Sequence, residues 1–219
     1  MFEFLTSPKI FFETCAGREP SLKIPALIIL LMSILSAVSG YMMGELTGRL
    51  LSGFMEGIAL FTAISTSVIA FIGPWLIWIV IVVVLMIMIR IQKGSCSFKR
   101  VAEISGYSMF PLVIGSVISL VLSLYYLPGI KVTPIKVADP EQIQVLITNF
   151  MNNPMMQEYS LISTFLMFIL LIWTANICAI GLEKCANLSV KQSLIASGIP
   201  VVLYILYSLY TLGTTYRWF

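Results

Sequence analysis

The side chains best suited to chemistry are four cysteines, Cys15, Cys96, Cys178 and Cys185, and no two of them form a C-x-x-C pair. A zinc site or a thioredoxin-like redox pair needs such spacing, so neither is supported. Histidine is absent altogether. That removes imidazole metal ligands, Ser-His-Asp and Cys-His catalysis, and an imidazole switch near neutral pH. Cys178, close to Asn176, is the one conceivable nucleophile, and a packing thiol is the simpler reading. Glu45 and Arg49, four apart, can pair on one face of a helix. No carboxylate pair sits inside an apolar run, so general acid–base work has no candidates. Catalytic, cofactor-binding and metal-binding residues are therefore assigned nowhere, and no enzyme activity is expected.

The elements that would position these groups are unusually apolar. The chain of 219 residues is 59% hydrophobic and only 11% charged, against a soluble norm of about 25% charged. Five stretches free of acidic and basic residues stand out: 25–43, 73–89, 107–126, 161–180 and 194–212. About 20 apolar residues cross a hydrocarbon core of about 30 Å, and backbone in lipid must bond to itself. The fold class expected is all-α, a polytopic membrane bundle of five transmembrane helices with interfacial amphipathic helices. It forms one domain, with no room for a second. No cleavable signal peptide is read, since the first apolar run follows a charged segment and is too long for one.

Charge placement predicts orientation. Lys9, Arg18, Lys23, Arg90, Lys93, Lys99, Arg100, Lys184 and Lys191 fall on one side of the five spans. Arg49, Lys131, Lys136 and Arg217 fall on the other, while the acidic residues split evenly. The positive-inside rule then puts the N-terminus in the cytoplasm and the C-terminus outside, in a multi-pass protein of the cell membrane. Under this topology no cysteine meets an oxidising compartment, and no disulfide is expected.

Three connecting segments carry further pattern. Within the cytoplasmic segment 1–24, Phe2, Phe4, Leu5, Ile10, Phe11 and Phe12 accompany Ser7-Pro8, a cap and first-turn proline. This helix either lays a Phe-rich face in the acyl boundary or packs on the bundle end. Segment 45–72 turns apolar after Gly57, and a single helix from Ile58 to Ile89 would overshoot the bilayer. A break at Gly73-Pro74 is expected to resolve this, leaving 45–72 interfacial or re-entrant, with a sixth span as the alternative. In segment 128–160, Asp139-Pro140-Glu141 opens a helix whose Ile143, Leu146, Ile147 and Phe150 share a face.

Several of these stretches, in succession, resemble the Yip family of Ypt/Rab-interacting membrane proteins, in a prokaryotic form. Leu5-Thr6-Ser7-Pro8-Lys9-Ile10-Phe11-Phe12 is similar to the opening of such members. Gly73-Pro74-Trp75 resembles the end of the eukaryotic Asp-Leu-Tyr-Gly-Pro motif, although Ala70, Phe71 and Ile72 precede it here and any role of the acidic residue is lost. Ser97-Phe98-Lys99-Arg100 followed by Gly106-Tyr107-Ser108-Met109-Phe110-Pro111 is the best match, with Gly181-Leu182 and Leu188-Ser189-Val190-Lys191-Gln192 closing the pattern. The resemblance implies a five-span layout, a cytoplasmic N-terminus and no known catalysis. Eukaryotic members act in vesicle trafficking with Rab GTPases. This chain lacks their long soluble N-terminal region, so the GTPase link is not expected to transfer.

The candidate structural or partner motif is thus Gly73, Pro74, Trp75, Gly106, Tyr107, Ser108, Pro111 and Asn176. Gly73-Pro74 is expected to set the angle of the second span, and Tyr107 to sit at the cytoplasmic mouth of the third. Ser108, Gly115, Ser116, Ser119 and Ser123 form a small-residue stripe suited to helix association or, more sharply, to a permeation path. Asn176, beside Trp173 and Thr174, is expected to bridge helices by its amide. Tyr204, Tyr207 and Tyr210, with Tyr216, Trp218 and Phe219 beyond, suit an interfacial rim more than a cage for a cation. The expected function is a non-enzymatic membrane scaffold or organiser without cofactors. Its partners would be bilayer lipid, a second copy or other membrane proteins, and not nucleic acid. The alternative is a transporter or channel for a neutral or lipid-like substrate.

Overall fold

A computed structural model describes residues 3–53, 57–132, 134, 145 and 148–215, and all regular structure among them is helical. Two short helices, α1 (Glu3–Thr6) and α2 (Pro8–Ala16), precede α3 (Lys23–Leu51) and α4 (Ile58–Ile91). Then come α5 (Phe98–Ser108), α6 (Phe110–Tyr126) and a 3-10 turn at Leu127–Gly129. Finally α7 (Pro154–Cys185) and α8 (Val190–Thr215) form an antiparallel pair. Taking α5, α6 and the turn as one unit, five helices are long and apolar enough to cross a membrane. Residues Asp139 to Glu141, Ile143, Leu146, Ile147, Tyr216, Trp218 and Phe219 lie outside the described set.

The closest packing is the hairpin of α3 and α4. Gly40, Gly44 and Gly48 recur every four residues along one face of α3. A Cβ on Gly48 would lie 2.5 Å from Ala59 Cα, one on Gly44 2.7 Å from the Thr62 carbonyl oxygen, and one on Gly40 2.7 Å from Ala70 Cβ. The partner positions retreat along α4 as the glycines advance, which is the register of an antiparallel pair. Small residues allow backbones this close, so dispersion and the Ser67 hydroxyl, which donates to the Ala37 carbonyl at 3.0 Å, hold the two helices.

This hairpin corrects the expectation for 45–72. There is no break at Gly73-Pro74: α4 runs unbroken through both residues, with Pro74 buried inside it. The propensity argument gives way because the α3 contacts grip α4 from Ala59 to Ala70, and because backbone in lipid gains most by staying helical. A proline in a membrane helix loses one hydrogen bond without ending the helix. Residues 45–51 likewise prolong α3, and Glu45 and Arg49 pair across its exposed surface at 2.6 Å. The sixth-span alternative does not arise, since 58–72 is one end of the second long helix.

The third span also differs. It opens at Phe98, not near Tyr107, and its regular helix is interrupted at Met109. Pro111 has no N–H to offer the Tyr107 carbonyl, four residues back, which explains an interruption at this place. The serine stripe then packs against α7: a Cβ on Gly115 would meet Leu170 Cδ1 at 2.5 Å, and Ser123 Oγ lies 3.1 Å from the Tyr159 hydroxyl. Gly115 and Ser123 thus lie at a contact between helices.

Two apolar clusters fill the bundle. The larger surrounds α5 and includes Phe12, Ile29, Leu85, Ile104, Ile177 and Leu182. The smaller, at the opposite end, gathers Leu46, Leu127, Ile130 and Met156, with Phe150 against it.

The glycine contacts separate two substitutions that look alike in the sequence. Gly48→Ala should lower unfolding stability in detergent by about 1–3 kcal/mol, the usual cost of overpacking. Gly73→Ala, where a Cβ meets nothing within 4 Å, should be neutral or gain up to about 1 kcal/mol of helix propensity. Equal losses in thermal or denaturant melts of the two variants would contradict this packing.

Candidate functional site

Helix α5 is short, carries charge, and is nonetheless buried along its length from Arg100 to Ser108. Ser97 starts it, its hydroxyl oxygen accepting the Arg100 amide at 3.3 Å. Gly106 lets α5 lie against the first turn of α3, since a Cβ there would stand 2.5 Å from Pro25 Cβ. Gly181 does the same for α7, where a Cβ would meet Ile104 at 2.5 Å and the Phe12 ring at 3.2 Å. On the α4 side, Trp78 Nε1 donates to the Ala102 carbonyl at 3.2 Å and lies 3.0 Å from Ser105 Oγ.

The centre of this arrangement is Glu103, whose side chain is 1% exposed. Its Oε1 accepts from Arg18 Nη2 at 3.4 Å and from the Ser21 amide at 3.2 Å. Its Oε2 accepts from Arg100 Nη1, and Arg100 Nη2 donates in turn to the Arg18 carbonyl. A charge leaves water at a cost of several kcal/mol, so a buried carboxylate requires such partners. Two distant pieces of chain are thus joined: the linker between α2 and α3, which carries Arg18 and Ser21, and α5.

Aromatic packing completes the seal. The Tyr107 ring lies 4.9 Å from Phe11 and 5.4 Å from Phe4, which in turn lies 5.3 Å from Phe110. Arg18 reaches the Tyr107 hydroxyl and stands 6.0 Å from the Phe11 ring. Lys184 holds Glu13 at 2.8 Å at the rim, a half-exposed pair worth little by itself. Of the two placements open for the N-terminal helix, the structure takes the bundle end, with Phe4, Phe12 and Cys15 buried.

Burial pushes the Cys15 thiol above its ordinary value of 9.0, against the opposing field of Arg18, and burial does the same to Cys96. Both groups are thiols at neutral pH. A raised thiol value contributes stability fully below pH 9.0, and that contribution is lost as pH rises through the raised value.

Of the residues singled out from the sequence, Gly106, Tyr107 and Ser108 belong to this site. Ser108 donates to the Ile104 and Ser105 carbonyls at 3.0 and 2.8 Å. Pro111 is buried at the start of α6. Gly73, Pro74 and Trp75 lie on α4, where Trp75 packs edge-on to Trp78 at 6.1 Å. Asn176 is the correction: it is exposed on α7 and bridges no helices among the described residues. The helical turn points Thr174, Ile177 and Cys178 inward and leaves Asn176 outside, so Asn176 and Cys178 cannot act together. Tyr204, Tyr207 and Tyr210 are exposed along α8.

Sequence reasoning misses Arg18, Arg100 and Glu103, because charges between apolar runs look like solvated loop. The recoverable signal is Ser97 at a cap position, followed by Arg100 and Glu103 three apart on one helix face.

An N-terminal plug sealed by a buried ion cluster, on five long apolar helices, defines an integral membrane protein. A sequence profile of the Yip1 domain matches residues 2–212, and the chain belongs to that family. It is similar to an uncharacterized protein of Methanocaldococcus jannaschii, 32% identical over 125 residues that cover 57% of this chain and 89% of the relative. No solved structure matches it.

Glu103→Gln strands the Arg100 guanidinium in the interior, which should cost about 3–5 kcal/mol in detergent unfolding. The pair replacement Arg100→Met with Glu103→Met should recover much of that loss. A single variant as stable as wild type would remove Glu103 from its central place. Iodoacetamide should modify Cys15 far more slowly than a free thiol at neutral pH, with modification rising steeply on unfolding; rapid labelling of the folded protein would contradict the burial of α2.

Proposed function

We propose that this protein is a non-enzymatic scaffold of the cell membrane. Its N-terminus faces the cytoplasm and its C-terminus the opposite side, and it works by presenting helix faces to other membrane proteins or to a second copy. The observation that carries this reading is the disposition of charge and grease. The buried ions Arg100 and Glu103 pair with each other and with the N-terminal segment. The outward faces of α4 and α8 are apolar along their length, as at Leu60, Phe61, Val68, Leu203 and Leu206. A pump or relay would instead need an ionisable group available at depth. The orientation rests on the basic residues at one end of the bundle, where α4 closes with Arg90 and α7 with Lys184. No link to a Rab-type GTPase is part of this proposal.

Photocrosslinking in intact cells tests it, with the photoreactive residue placed at Phe98, 56% exposed, or at Leu206, 58% exposed. The expected result is a discrete protein adduct, a second copy or another membrane protein, from at least one of these sites. Adducts with lipid alone at both, together with flux of a neutral solute through proteoliposomes, would overturn the scaffold in favour of a conduit.

A further inference from the structure

At the basic end of the bundle, a cleft of about 580 Å³ opens between the loop joining α4 to α5 and the end of α7. Arg90, Arg100, Ser95, Ser97, Cys96 and Cys185 contribute to its wall, and no carboxylate among the described residues does. Arg90 closes α4, is exposed, and has no side-chain hydrogen bond or ion pair among the described residues. Arg100 is the opposite case, 7% exposed and pinned in direction by Glu103 and the Arg18 carbonyl. Its guanidinium has more donors than these two bonds use. Ser97 Oγ accepts the Arg100 amide, which leaves the hydroxyl hydrogen free to donate.

The loop itself is fixed in place. The Ser95 amide donates to the Ala186 carbonyl at 3.2 Å and the Gly94 amide to the Ile89 carbonyl at 2.9 Å. Gly94 is required there, since a Cβ would meet Leu188 at 2.6 Å and the Ala186 oxygen at 3.0 Å. The wall is therefore held to both α4 and α7, with one guanidinium locked and the other able to swing in.

We infer that this cleft binds a phosphate group. Two guanidinium groups and hydroxyl donors, with no lining carboxylate among the described residues, form a set matched to an oxyanion with several acceptor oxygens. The volume falls in the range of small-molecule sites, about 300–1,000 Å³, larger than a lone phosphate needs and able to admit an ester. The cleft lies where the long apolar helices α4 and α7 end, so in a bilayer it would come near the headgroups. Both a phospholipid headgroup and a free phosphate can reach it. This inference does not depend on the scaffold reading, because phosphate binding would stand whether or not a protein partner is found.

The test uses the full chain in neutral detergent, with thermal unfolding as the readout. The probes are inorganic phosphate against chloride at matched ionic strength, and short-chain phosphatidic acid against the diacylglycerol that lacks its phosphate. Stabilisation by phosphatidic acid but not diacylglycerol supports a lipid headgroup, and equal stabilisation by inorganic phosphate supports a free ligand. Arg90→Gln, at an exposed position, should weaken the apparent affinity about tenfold, as expected for one lost charged hydrogen-bonding partner. Lys99→Gln, also exposed but outside the cleft, should change it less than about twofold. Equal losses in the two variants would indicate diffuse surface charge and overturn the site. So would the absence of stabilisation by either phosphate source.

Discussion

Glu103 is the constraint around which one end of this molecule is organised. A carboxylate removed from water must be met by donors, and here they come from two places far apart in the sequence: Arg18 and the Ser21 amide before α3, and Arg100 on α5 itself. Losing the N-terminal segment would leave Glu103 with Arg100 alone and take away both partners of its Oε1. The apolar surroundings, Phe4, Phe11 and Tyr107, raise that cost by keeping water out. A plug of this kind is held by electrostatics in direction and by aromatic packing in position.

Among the described residues, no ion pair joins the two helices of the other half of the structure. Hairpin α3–α4 is held by backbone proximity, with three glycines spaced to admit Ala59, Thr62 and Ala70. In lipid, burying apolar surface against a neighbouring helix gains little, so fit decides association. The two halves therefore answer to different rules. Close glycine contacts serve both ends, but among the described residues only the basic end adds a buried ion cluster, so there the loss of a charged partner is a further way to damage the fold.

The long helices and the membrane character were legible because a water-soluble fold rarely carries repeated apolar runs of about 20 residues. The basic asymmetry and the resemblance of Ser97 to Pro111 to family members were legible because they too are local patterns. What stayed hidden was tertiary. Nothing in the spacing of Gly73-Pro74 reveals that α3 grips the preceding turns and carries the helix through. Arg100 and Glu103 look like a solvated loop because single-residue hydrophobicity cannot see a partner such as Arg18, more than eighty positions earlier. Asn176 errs in the opposite direction. Its polarity suggests an inward bond, but helical phase puts it on the outside, beside a Thr174 that points in.

The unbroken α4 has a consequence for the bilayer. Its 34 residues span about 51 Å, while the hydrocarbon layer is about 30 Å thick and membrane helices tilt by about 0–40°. Even strong tilting leaves greasy surface near Leu60 and Phe61 beyond the acyl chains. Whatever meets that surface, whether stretched lipid, a tilted bundle or a neighbouring chain, has to cover apolar side chains at the far end of α4.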